Sequence, residues 1–183
     1  MTETLDVIAQ RFACRKYADR PVDRDTLQTI AEAGLHAPSA VNRQPWRLIV
    51  LAGKDLVDEI DAAGLAVLQE VDPAGYDRIQ SRGGKLLYDA PAMILVALQP
   101  QPGRFTADMD GGIVVGHIVL AARSLGVDSC VVGMARYGFD ADAALRAKYL
   151  PEGFDFGVSI LLGYADGAPG TPHAIDPAKI IWA

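Results

Sequence analysis

Cysteine is nearly absent from this chain. Its two representatives, Cys14 and Cys130, lie far apart in sequence and have no cysteine or histidine nearby at metal-ligand spacing, so a zinc site is not expected. Positive charge is also scarce: 17 Lys and Arg stand against 23 Asp and Glu, a formal net charge of −6. Phosphate neutralisation needs a basic surface, so broad nucleic-acid binding is excluded and any cation cluster has to be local. No apolar run reaches the roughly 18 residues of a membrane helix, although half of the residues are hydrophobic. The start, Met1-Thr2-Glu3-Thr4-Leu5-Asp6, places acids where a secretory signal has cations, and a cytoplasmic location is the expectation. At 183 residues the chain suits a single domain with a sizeable core.

Local patterns divide the chain into elements. Leu5, Ile8 and Ala9 share one face of a helix over 2–10. Asp23 is placed to cap a second helix from Arg24 to about His36, with Leu27, Ile30, Ala31 and Gly34 on its inner face and Pro38 as its stop. Trp46 to Leu51 reads as a strand with Trp46 in the core. Lys54 to about Gln69 reads as a helix, and Val71 to Lys85 as a polar excursion that could serve as a lid. Ala92 to Leu98 is a buried strand, since seven apolar residues follow Pro91 without interruption. Met109 to Leu125 is too long for a strand and apolar on nearly all sides, which predicts a helix in the core or at a subunit interface, with Gly126 as its cap. Ser129 to Gly133 and Phe156 to Leu162 are further strands, and Asp140 to Tyr149 a capped helix. Residues 166–183 form an extended arm whose tip, Ile180-Ile181-Trp182, needs a surface to cover it. Two helices precede the first strand and no Gly-x-Gly-x-x-Gly follows any strand, which argues against a regular dinucleotide-binding fold.

Two clusters carry chemistry. Arg11-Phe12-Ala13-Cys14-Arg15-Lys16-Tyr17 puts three cations into a short connector, and Ala37-Pro38-Ser39-Ala40-Val41-Asn42-Arg43-Gln44-Pro45-Trp46 sets a polar turn between a helix and a strand. Together they resemble the FMN-dependent nitroreductase family, whose members open with Arg-x-Ser-x-Arg-x-aromatic and continue with Ala-Pro-Ser-x-x-Asn-x-Gln-Pro-Trp. The resemblance implies an α+β three-layer sandwich, in which helices flank a mixed, mainly antiparallel sheet and two chains interlock as a homodimer with flavin sites at the interface.

It also implies roles. FMN offers a phosphate dianion, a hydrogen-bonding pyrimidine edge and an apolar ring system, which call for guanidinium donors, amide or hydroxyl partners and apolar walls. By position, Arg11, with the backbone of Phe12 and Ala13, corresponds to the phosphate site, and Arg15 to the group beside the flavin N1 and O2 edge. Pro38 and Ser39 correspond to residues that contact the flavin, often across the subunit boundary, and Asn42 and Gln44 are placed to satisfy its carbonyls or to fix the turn. Lys85, after Gly83-Gly84, is a second cation for the same edge, and Val131, Val132 and Gly133 line the flavin N5. The implied chemistry is hydride transfer from NAD(P)H through the flavin to an electron-poor acceptor such as a nitroaromatic or quinone, with no catalytic side chain and no metal.

Against these stand plainer readings: a solvated cationic loop for Arg11 and Arg15, a helix stop for Pro38-Ser39, a surface turn for 82–85 and a buried strand for 131–133. Ala13 departs from the family serine. Gly170-Thr171-Pro172-His173-Ala174 lacks the cation that many members carry near the C-terminus, and His173 is a poor substitute for it. His36 and His117 read as structural. Cys14 is a bystander in the phosphate loop or a thiol activated by its cations, and Cys130 a small buried hydrophobe. The alternatives to the enzyme reading are a noncatalytic flavin-binding or interaction protein and a different flavin enzyme on the same scaffold.

Overall fold

Every residue of Ala92–Leu98 (β2) is buried, and its side chains alternate between two hydrophobic layers. Met93, Leu95 and Ala97 enter one layer, and Ile94, Val96 and Leu98 the other, as a period of two requires. The computed structural model describes residues 2–100 and 107–182. Four antiparallel strands run in the order β1-β2-β4-β3: β1 is Trp46–Leu51, β3 Asp128–Val132 and β4 Asp155–Gly163. A lone parallel bridge, Ala13 with Ser129, adds the basic connector to the outer edge of β3.

The helices in chain order are α1 (Glu3–Gln10), α2 (Arg24–Leu35), α3 (Lys54–Val71), α4 (Pro73–Gln80), α5 (Ala107–Ser124), α6 (Arg136–Ala141) and α7 (Ala143–Tyr149). Residues of α3, α6 and α7 share one hydrophobic layer with Phe12, Cys14 and Tyr17. The opposite layer is built by α2 and α5, with Ala37 and Trp46. The result is the expected α+β three-layer sandwich.

In β4, Val158 pairs with Val96 but Phe156 pairs with Ala97, so Gly157 is the extra residue of a β-bulge. A Cβ there would lie 2.8 Å from the Val96 carbonyl oxygen, which explains the glycine. Arg136 Nη2 donates to the carbonyls of Phe156 and Gly157 at 3.3 and 3.4 Å and holds the bulge from α6.

Most sequence expectations hold and some are corrected. The inner face of α2 is Leu27, Ile30, Ala31 and Gly34, and Asp23 caps it through the Thr26 amide at 2.8 Å. Trp46 is buried. Residues 73–80, expected to be an irregular excursion, form α4, because Asp72 accepts from the Gly75 amide and Pro73 is preorganised for a first helical position. The expected helix Asp140 to Tyr149 is instead α6 and α7: Asp142 is extended and caps α7 through the Ala144 and Leu145 amides. Strand β3 starts at Asp128 and ends before Gly133. Gly126, with φ +73°, closes the turn after α5. The apolar face of α1 is uncovered, with Leu5 and Ile8 about half exposed, and Trp182 in the arm is 92% exposed.

Candidate functional site

The connector leaves α1 at Arg11 and is fastened on three sides. Cys14 donates its amide to the Ser129 carbonyl at 2.9 Å, Ala18 donates to the Tyr164 carbonyl at 2.8 Å, and Asp166 donates to the Lys16 carbonyl at 3.1 Å. Phe12, Cys14 and Tyr17 point inward and are buried. Phe12 therefore offers a ligand its backbone. The guanidiniums of Arg11 and Arg15 have no carboxylate or hydrogen-bond partner among the described residues, whereas Lys16 pairs with Asp166 at 2.7 Å. Two unpaired guanidiniums in a chain of net charge −6 are a local positive field of the kind a dianion seeks. That field reaches β3: burial pushes the Cys130 thiol up, and Arg15 and Arg11 pull it partly back. Burial likewise raises Cys14. Both directions disfavour the thiolate, which weighs against an activated Cys14.

The end of β3 adjoins the connector. Val131 is 46% exposed, Val132 is buried, and a Cβ on exposed Gly133 would meet nothing within 4 Å. Main chain at this strand end is thus open to a planar ligand.

The turn 38–45 is preorganised by its own side chains. Gln44 donates its amide to Ser39 Oγ at 2.9 Å and its Nε2 to Asn42 Oδ1 at 2.8 Å. Val41, Asn42 and Gln44 all have φ near +50°, a conformation that non-glycine residues adopt at a cost. Buried Asp110, in the first turn of α5, accepts the Ala40 amide at 3.1 Å. Pro38, Asn42 and Gln44 are exposed and Ser39 half-buried, so the polar atoms of this turn face outward.

These two clusters do not meet within one chain. The turn leads into β1, at one edge of the sheet, and the connector lies outside β3, at the other. Three strand spacings separate the edges, roughly 14 Å, before the connector itself is counted. Both are held by α5: Asp110 near its start grips the turn, and Arg123 in its last turn bonds Gln10 beside the connector. Sequence reasoning missed both residues, although an acid and a cation in an otherwise apolar helix are a visible signal.

Lys85 is placed among carboxylates: its Nζ lies 2.9 Å from Asp58, 3.5 Å from Asp89 and 4.0 Å from buried Asp61. Gly83 and Gly84 before it have positive φ. His117 is half-buried with Nδ1 2.9 Å from the Ile113 carbonyl, a structural placement, and His173 lies exposed in the arm. Among the described residues no group of His, Cys, Asp and Glu is arranged to hold a metal ion.

The nitroreductase family profile matches residues 8–161. This chain belongs to the nitroreductase family. It is 31% identical, over 97% of its length and 85% of the relative's, to a Methanothermobacter thermautotrophicus protein provisionally named NADH dehydrogenase/NAD(P)H nitroreductase. An oxygen-insensitive NADPH nitroreductase of Helicobacter acinonychis shares 27% identity over 74% of each chain. Among solved structures, a nitroreductase with bound FMN from Desulfitobacterium hafniense superposes with a TM-score of 0.92, at 42% identity, over 100% of this chain and 99% of that one.

Proposed function

We propose that this nitroreductase-family chain is an FMN-dependent oxidoreductase that takes electrons from NAD(P)H and delivers them to an electron-poor acceptor such as a nitroaromatic or quinone. The observation that carries the reading is the unpaired couple Arg11 and Arg15 beside an open strand end, in a fold shared with an FMN-bound relative. FMN, when bound, supplies the hydride chemistry at N5. The chain's own residues bind and orient. Arg11 neutralises phosphate with help from the Phe12 and Ala13 backbone, and Arg15 sets positive charge at the pyrimidine edge, where added negative charge is thereby favoured. Lys85 contributes less at that edge, because Asp58 and Asp89 already neutralise it. Open main chain at Gly133, at the end of the strand that carries Val131 and Val132, lets the ring approach.

The turn residues Pro38, Ser39, Asn42 and Gln44 reach the same flavin from a second copy, making the functional unit a homodimer. The separation of the two clusters at opposite sheet edges supports this. So does the outer face of α5, where Met109 is 73% exposed and a Cβ on Gly112 or Gly116 would meet nothing within 4 Å. Small residues spaced by four let another helix approach closely. Residues 1–183 act as one flavin-binding unit in the cytoplasm, with 166–183 as an arm onto the partner; among the described residues no helix is long and apolar enough to cross a membrane.

The test is to titrate the protein with FMN, add NADH or NADPH anaerobically, and follow the visible flavin band. Bleaching that a nitroaromatic or quinone reverses is expected. Stable binding without bleaching by either nicotinamide contradicts the oxidoreductase reading and leaves a flavin carrier.

A further inference from the structure

Arg123 is the basic residue in the last turn of α5, where a cation also complements the helix dipole. Its guanidinium makes contacts in three directions. Nη1 donates to Asp128 Oδ1 at 3.1 Å, Nη2 donates to Gln10 Oε1 at 3.4 Å, and Cζ lies 5.9 Å from the centroid of the Phe12 ring. Gln10 and Phe12 are the residues on either side of Arg11. The other oxygen of Asp128 accepts the Ala165 amide at 3.0 Å, and Ala165 bridges Tyr17 at the far end of the connector. A further wall for the Phe12 ring is Gly170 in the arm: a Cβ there would come within 2.5 Å of Phe12 Cδ2.

We propose that Arg123 is a positioning residue for the cofactor phosphate: with Asp128 it clamps Gln10 and Phe12 and so fixes the direction in which Arg11 and Arg15 present their guanidiniums. The inference rests on the reading of Arg11 as the phosphate ligand and of Arg15 as the cation at the pyrimidine edge. Only a planar fork satisfies a carboxylate, an amide oxygen and a ring face at once, so lysine is not an equivalent at this position. The Arg123–Asp128 pair is also partly withdrawn from water, with side chains 25% and 13% exposed. Loss of Arg123 therefore has two consequences to separate: a loosened connector, and an unopposed Asp128 carboxylate near an anion.

The experiment titrates FMN into the apoproteins of the wild type and of the Arg11→Ala, Arg123→Ala, Arg123→Lys and Arg123→Ala/Asp128→Asn variants, and measures amide hydrogen exchange in the same apoproteins. Arg123→Ala is expected to raise the FMN Kd about tenfold, the scale on which supporting partners of a ligand-binding group act. Arg123→Lys is expected to fall between it and the wild type. Exchange is expected to quicken across residues 8–17 and to stay unchanged across β2. The double variant is expected to remain weak, because removing the Asp128 charge does not restore the clamp. A Kd within twofold of the wild type in Arg123→Ala, recovery in the double variant, or unchanged exchange at 8–17 overturns the proposal. If Arg11→Ala weakens FMN while Arg123→Ala does not, the phosphate site stands and the clamp alone falls. If Arg11→Ala leaves the Kd unaltered, the phosphate-site reading fails and the clamp falls with it.

Discussion

Asp110 Oδ1 accepts the backbone N–H of Ala40 at 3.1 Å, across 70 residues of sequence, and pins the turn that carries Ser39, Asn42 and Gln44 to the first turn of α5. The three positive-φ residues that follow in that turn need such an anchor to persist. Replacing Asp110 with alanine leaves a part-buried donor unpaired, at a cost of about 1–3 kcal/mol. FMN affinity falls with it, while Asp110→Asn, which keeps an acceptor oxygen, stays near the wild type. Thermal unfolding and FMN titration of the two variants check this; equal effects from both would remove the hydrogen bond as the cause.

The bulge in β4 gives a prediction on stability alone. At Gly157 an added Cβ meets the Val96 carbonyl oxygen at 2.8 Å and Leu98 side-chain carbon at the same distance. Backbone in a central strand pair cannot retreat cheaply, so Gly157→Ala is expected to cost about 2 kcal/mol. Chemical denaturation reads it, and a change within about 0.5 kcal/mol would mean that the strand shifts freely.

What could be read from the sequence was what depends on near neighbours. The cap and inner face of α2 lie within one 13-residue stretch, and each landed where helical spacing put it. The unbroken apolar run of β2 announced a strand buried on both faces. Helix α4 is hidden by the polar composition of Val71 to Lys85, although an acid before a proline, as in Asp72-Pro73, is also how a helix begins. The break at Asp142 was hidden because one side chain caps α7 while the flanking residues both favour helix. At the site, the connector and the turn were legible as motifs. Their fastenings were not: Ala40 to Asp110, Gln10 to Arg123 and Lys85 to Asp58 join positions far apart in sequence, and only packing brings them together.

The thiols give a chemical prediction. Cys14 and Cys130 are buried, and burial raises both above their ordinary values despite the nearby cations. Neither is expected to react with an alkylating reagent in the folded protein at pH 8, and both react after denaturation. Mass spectrometry of the native reaction checks it; rapid modification of Cys14 would show a connector more open than described.

Acid should release the loop that carries Lys85. The Lys54 hydrogen bond, at 2.7 Å, holds the Asp89 carboxyl below its usual 3.8. Burial pushes Asp58 upward, but the bonds from Lys54 and Lys85 outweigh it and its value is also lowered. In the window between these lowered values and 3.8 the unfolded chain binds more protons than the folded one. The stabilisation is therefore fully present above 3.8 and is lost as pH falls through the lowered values. Asp61 runs the other way: burial raises it, so its contribution declines as pH climbs from 3.8 through its raised value. Asp89→Asn is expected to cost about 0.5 kcal/mol at neutral pH, as partly exposed pairs do. Asparagine tolerates the positive φ of this position, so no strain is added. Melting curves of both proteins against pH should converge at the acid end; a constant gap would contradict the ion-pair account.

The central claim is that one flavin takes its phosphate connector from one copy and its polar turn from the other. The direct test is to combine, as differently tagged chains, an Arg11→Ala/Arg15→Ala variant with a Ser39→Ala/Asn42→Ala variant, and to measure FMN bound per chain in the purified heterodimer. Each homodimer is expected to bind poorly. In the heterodimer a shared site concentrates both lesions in one pocket and leaves the other intact, so the account predicts one tightly bound FMN for every two chains. Weak binding at both pockets, no better than in the homodimers, would mean that each flavin is held within a single chain.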